Sequence, residues 1–146
     1  MGESSSEENC SHSTVLVEWE PGQKILRVTW IGDVSLRALN EQIESFRRRP
    51  FAGQLKGMIV DFRLVRNVHL TAGELATVAE HKPVFPAVFP RAMVAEQDLH
   101  FGLLRMYESM SAETQTETTV VRSLEEAYSL FKLQEPVFEP LPPAAE

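Results

Sequence analysis

From Thr14 the side chains alternate. In TVLVEWE, Val15, Val17 and Trp19 share one face, and KILRVTWI repeats the pattern with Leu26, Val28 and Trp30. A period of two predicts half-buried strands. Pro21 and Gly22 lie between them, placed for a type II turn with glycine at the site that needs positive φ. The two strands therefore read as a hairpin. At Ser35 the period changes. Leu36, Leu39, Ile43 and Phe46 form one stripe on a helix, with Arg37, Glu41 and Glu44 facing out. GMIVDF is a short apolar run ending in Asp61, which predicts a strand covered on both faces, as in a parallel sheet. A second helix runs from Ala72 to about His81, followed by the loop KPVFPAVFP and a strand in RAMVAE. A third helix then carries Leu99, Leu103, Met106 and Met110 on what we read as its inner side. TETTVVR, rich in β-branched residues, is a fifth strand. Ser123 opens the last helix, with Leu124, Ala127, Tyr128 and Phe131 inward and Glu126 at capping-box spacing.

The order β-β-α-β-α-β-α-β-α defines an α/β domain. Strands that alternate with helices need crossovers, and these are right-handed. We expect a five-stranded mixed sheet with an N-terminal hairpin and four packed helices over residues 14–133. Residues 1–13, rich in Ser and Glu, read as a disordered leader. Residues 134–146, rich in proline, read as an extended tail.

Charge narrows the partners. The 146-residue chain carries −7, but Glu3, Glu7, Glu8, Glu135, Glu139 and Glu146 lie in the two ends. Removing those six from −7 leaves −1 for residues 14–133. No basic face marks a nucleic-acid surface. The three arginines 47–49 stand where a helix ends, as its dipole favours. No apolar run approaches the ~20 residues that span a bilayer, and the N-terminus lacks the apolar segment of a secretory signal. Gly2 and Ser6 fit the spacing of a myristoylation site, although Glu3 beside the glycine suits it poorly. Cys10 is the only cysteine, so neither an internal disulfide nor a cysteine zinc site is available. A reducing, cytoplasmic location is the expectation.

Several segments carry a resemblance. GDVSLRALNEQI, GMIVDFRLV, LTAGELA, FGLLRMYES and VVRSLEEAYSLF, in this order of elements, resemble the STAS-like family. That family contains the bacterial anti-sigma-factor antagonists and many small uncharacterised bacterial relatives, to which the chain looks closest. The resemblance covers roughly residues 14–133 and rests on core stripes and caps. It implies a non-catalytic regulatory or protein-interaction module, with a protein partner or a second copy of the chain. In the antagonists a strand ends in Asp, and an Asp-Ser-Ser-Gly motif follows whose second serine is phosphorylated. Asp61 matches the strand-end acid and Thr71 the phosphorylated position. His69, Leu70 and Ala72 replace the other three motif residues.

The residues themselves give Thr71 a structural task. Thr71 and Glu74 have capping-box spacing, and such a cap contributes about 1 kcal/mol. In the alternative, a phosphate on Thr71 would meet the free N–H groups of a helix start, with Arg63 and Arg66 on the same connection to pair with it. Residues 61–75 and the second helix are the expected contact surface, with Asp61, Arg63, Arg66, His69 and Glu74 as its polar groups. Asp61, His69 and Thr71 include the residue types of a catalytic set, but no nucleophile elbow surrounds Thr71, and we expect no enzyme. Glu96, Asp98 and His100 are metal-ligating types at close spacing. We read Asp98 as a helix cap and expect neither metal nor cofactor. A second functional reading uses Phe85 and Phe89 of the proline-punctuated loop with Met93, Met106, Tyr107 and Met110. These would line an apolar-ligand site or an interface. The STAS-like fold is similar to the CRAL-TRIO lipid-transfer fold, which holds such a ligand.

Overall fold

A computed structural model describes residues 13–49, 54–79, 89–111 and 117–141. Among these, six strands and four helices alternate: β1 Ser13–Glu20, β2 Ile25–Ser35, α1 Leu36–Arg47, β3 Gly57–His69, α2 Ala72–Ala79, β4 Arg91–Val94, α3 Asp98–Met110, β5 Thr118–Val121, α4 Leu124–Leu130 and β6 Glu139–Pro140. The sheet has the order β5-β4-β3-β2-β1-β6. β2 to β5 are parallel neighbours, while β1 runs antiparallel to both β2 and β6. The α/β class, the mixed sheet, the hairpin and the four helices agree with the pattern of the sequence. The strand count does not: a sixth strand comes from the proline-rich tail. Its two residues carry no alternation that could announce a strand.

The connections explain the layers. From β2 to β5 each crossover steps to the next neighbour in one direction. Right-handed crossovers of that kind place all three helices on the same face. That face holds the larger core, where Leu26, Val28, Trp30, Val60 and Phe62 of the sheet meet Phe46, Leu75, Val78, Leu104 and Tyr107 of α1, α2 and α3. The opposite face receives α4 alone. There Ile25, Ile59, Ala92 and Val94 pack against Ala127, with Leu133, Tyr128, Phe131 and Phe138 around them. Leu26, Ile59 and Val94 have no exposed surface. Burying such a side chain contributes roughly 1.5–3 kcal/mol over leaving it in water.

Three local expectations are corrected. The turn between β1 and β2 places positive φ at Lys24 (61°), not at Gly22. The Glu20 carboxylate accepts the N–H groups of Gly22 and Gln23, which fixes the turn from its side chain. β3 does not stop at Asp61 but continues to His69. Its partner β2 runs equally far, pairing Ser35 with His69. Finally, α3 is rotated relative to the expected stripe. Leu99 (78% exposed), Met106 (43%) and Met110 (36%) face outward, and the buried residues are His100, Leu104 and Tyr107. The sheet needs only a narrow arc of α3, and either arc has helical spacing.

Candidate functional site

Thr71 stands between β3 and α2. Its Oγ1 accepts the Glu74 N–H at 3.0 Å, and the Glu74 carboxylate accepts the Thr71 N–H at 3.0 Å. This is the reciprocal capping box expected from the spacing. Thr71 is exposed and Glu74 half-buried. The hydroxyl is therefore a working cap that solvent can reach.

The arm formed by β2 and β3 leads to this cap. Near its end Asp33 is largely buried and gathers two groups from β3. His69 Nε2 lies 3.2 Å from one Asp33 oxygen and Arg66 Nε 3.6 Å from the other. The hydrogen bond from His69 holds the Asp33 carboxyl below its ordinary value, helped by the Arg66 charge and an Asn67 hydrogen bond and opposed by burial. The sequence reading did not single out Asp33. An acid inside an otherwise apolar strand was the available signal, but only the register identifies its partners. Gly32, at φ 86°, sits at the ladder irregularity beside it, a conformation that a side chain would strain.

Asp61 belongs to a different device. Thr29 pairs with Asp61 and Ile31 with Leu64, so β3 places two residues opposite Trp30. This is a bulge. Asp61, 1% exposed, accepts the displaced Arg63 N–H at 3.0 Å and grips the Arg63 guanidinium through Nε (3.0 Å) and Nη2 (3.0 Å). The hydrogen bonds that Arg63 donates to Asp61 raise the Arg63 pKa, against the effect of burial. The six residue steps of strand from Arg63 to His69 span about 20 Å. Arg63 is therefore far from Thr71 and is not on the connection where the sequence placed it.

The remaining candidates separate. Asp98 binds Nη1 of Arg122 at 2.8 Å, and the same nitrogen donates to the Glu96 carbonyl at 3.1 Å. The Arg122 guanidinium stacks on Phe101 at 3.9 Å. His100 is buried, whereas Glu96 and Asp98 are exposed. Gln97, not Asp98, is the N-cap of α3. Phe89, Met93 and Tyr107 are buried together in the larger core, whereas Met106 and Met110 lie on the surface. Phe85 lies outside the described residues. No described helix is long and apolar enough to cross a membrane.

Two solved structures share this architecture. One is an uncharacterised protein of the DUF3478 family with a SpoIIAA-like fold from Shewanella loihica PV-4. It is 13% identical, with a TM-score of 0.54 over 82% of this chain and 93% of that one. The other is the anti-sigma factor antagonist SpoIIAA in its unphosphorylated form, 12% identical, with a TM-score of 0.50 over 82% of this chain and 98% of that one. No protein-family model matches the chain. No curated protein matches it either. The chain thus has a STAS-like fold, as the resemblance implied.

Proposed function

We propose that the protein is a non-catalytic regulatory module that binds another protein through the end of the β2–β3 arm and the start of α2. The observation that carries this reading is the exposed Thr71–Glu74 capping box, set beside the Asp33–Arg66–His69 cluster on a STAS-like fold. One similar structure is an anti-sigma factor antagonist whose title specifies an unphosphorylated form. A phosphate on Thr71 would add charge at a helix start, where backbone N–H groups favour it, while Glu74 would be pushed from its place at the Thr71 N–H. Arg66 is the nearer of the two arginines to respond, since Arg63 is held at the bulge. The arrangement does not resemble a nucleophile site: Thr71 Oγ1 is engaged as a cap, and His69 is turned to Asp33.

The test compares affinity captures from the native host using wild-type protein, Thr71→Asn and Arg66→Glu, each with an unchanged melting temperature. A partner retained by wild type and lost with Arg66→Glu supports the contact surface. A phosphoryl-sized mass addition mapped to Thr71, with partner binding altered in Thr71→Asn, supports the switch. Partner sets identical across all three proteins would overturn the assignment of this end of the molecule.

A further inference from the structure

The chain's own tail occupies a groove. After α4, Leu133 is buried under the sheet, and β6 lies antiparallel along the outer edge of β1, pairing Pro140 with Glu18 and Glu139 with Trp19. Leu141 N–H then donates to the Val17 carbonyl at 3.3 Å. The floor of the groove is polar and specific. Arg27 donates to Tyr128 Oη at 2.6 Å and to Glu18 at 2.9 Å, and its guanidinium lies 4.0 Å from the centre of the Phe138 ring. Tyr128 flanks the same ring, with centroids 6.0 Å apart. Phe138 is thus seated on a cation that two other side chains hold flat.

The seat is filled by a weak occupant. β6 has two residues, whereas β1 pairs with β2 along all eight of its own. Val137, next to Phe138, is 74% exposed. The register also shows how β6 tolerates Pro140. Residues 139 and 141 face β1 with their N–H groups, as the Leu141 bond shows, so Pro140 loses nothing by lacking one. Pro142 and Pro143 follow in the sequence, and neither has an N–H to donate to a strand. Among the described residues, the edge of β1 from Thr14 to Leu16 has no strand beside it.

We propose that this edge is a peptide-binding groove. Its partner is an extended segment of another protein with an aromatic residue on Arg27 and an N–H to give to the Val15 carbonyl. Residues 134–141 hold the groove closed until such a segment displaces them. Strand addition of this kind takes affinity from the main chain and specificity from the aromatic pocket. The tail competes at the high effective concentration of a tethered group, so the incoming strand succeeds by pairing with β1 over more residues than the two of β6. This groove involves neither Thr71 nor the Asp33–Arg66–His69 cluster, so its failure would leave the regulatory reading untouched.

The experiment uses the full chain and a labelled peptide copying residues 134–145 with threonine in place of Pro142 and Pro143. Fluorescence anisotropy should show binding to wild type, at least tenfold tighter binding to Phe138→Ala, and loss of binding when the peptide's own phenylalanine is replaced by alanine. Hydrogen exchange should show the Leu141 amide losing protection as peptide is added and the amides of β1 gaining it. If Phe138→Ala fails to fold, the exchange measurement on wild type decides alone. Absence of binding to both proteins, or binding to wild type that leaves the Leu141 amide protected, would overturn the proposal.

Discussion

Asp61 is a buried acid whose backbone and side-chain donors both come from Arg63, two residues along. It is an acid in an apolar strand, and it resembles the strand-end acid of the antagonists. In the structure it sits inside β3, where it satisfies a bulge and a buried guanidinium edge. Asp61→Ala leaves both groups without an acceptor, and we expect a loss of about 2–3 kcal/mol, discounted because Arg63 is partly solvated. Urea denaturation of Asp61→Ala, Arg63→Met and the double variant measures it. Strict additivity would show that the two do not act as a unit. Thr71→Ala should cost about 1 kcal/mol in the same assay, and Thr71→Asn should recover most of it, because asparagine is also a good cap. A loss in Thr71→Asn as large as in Thr71→Ala would show that the box is not setting helix stability. Asp33 gives the pH-dependent case. Its folded pKa lies below the ordinary value, so its contribution is present at neutral pH and disappears as pH falls below about 4 through the folded pKa. The difference in melting temperature between wild type and Asp33→Asn should therefore be large at pH 7 and shrink by pH 3. A difference independent of pH would remove the carboxylate as its source.

At the scale of elements, helix caps and apolar stripes were legible where one face dominates. Ser35 caps α1 by accepting the Ala38 N–H at 3.2 Å, and Ser123 caps α4 by accepting the Glu126 N–H at 3.1 Å. Both caps follow from side chains a few residues away, so local sequence contains the whole interaction. The Glu126 carboxylate instead reaches one residue further back, to the Arg122 N–H at 2.8 Å. α3 was misread because it has two arcs of apolar residues. Which arc turns inward depends on what the sheet presents, and Met93 and Phe89 come from other segments. The length of β3 was misread because its polar second half does not alternate cleanly, and β2 rather than its own side chains sustains it. One close approach also lay beyond local reading. A Cβ on Gly57 would stand 2.5 Å from the Phe131 ring and 3.2 Å from Ile25. Gly57→Ala should force the ring from the smaller core and cost about 1–3 kcal/mol. Pairing it with Phe131→Leu should return part of that in a denaturant titration. If Gly57→Ala is neutral, the contact between α4's end and β3 is looser than described.

Across the whole molecule, stability concentrates in the β2–β3 pair, which has the longest ladder and cores on both faces. β6, with two residues and one face, lies at the other extreme. Native-state hydrogen exchange should rank amides of β2 and β3 as slowest and Leu141 as among the fastest of the strand-bonded amides. Equal protection at both would contradict the displaceable strap. The sequence by itself determined the order of elements from β1 to α4, the crossover connections and hence the α/β class, because periodicity and caps are written within windows of a few residues. It also determined that Thr71 starts a helix. Only the tertiary structure decided which face of α3 is buried, that Asp33 gathers Arg66 and His69, and that the tail returns to place Phe138 on Arg27. Those contacts join residues separated by 33 to 111 positions or compete with an equally apolar alternative. Their energies arise from register and layer geometry, which no short stretch of chain contains.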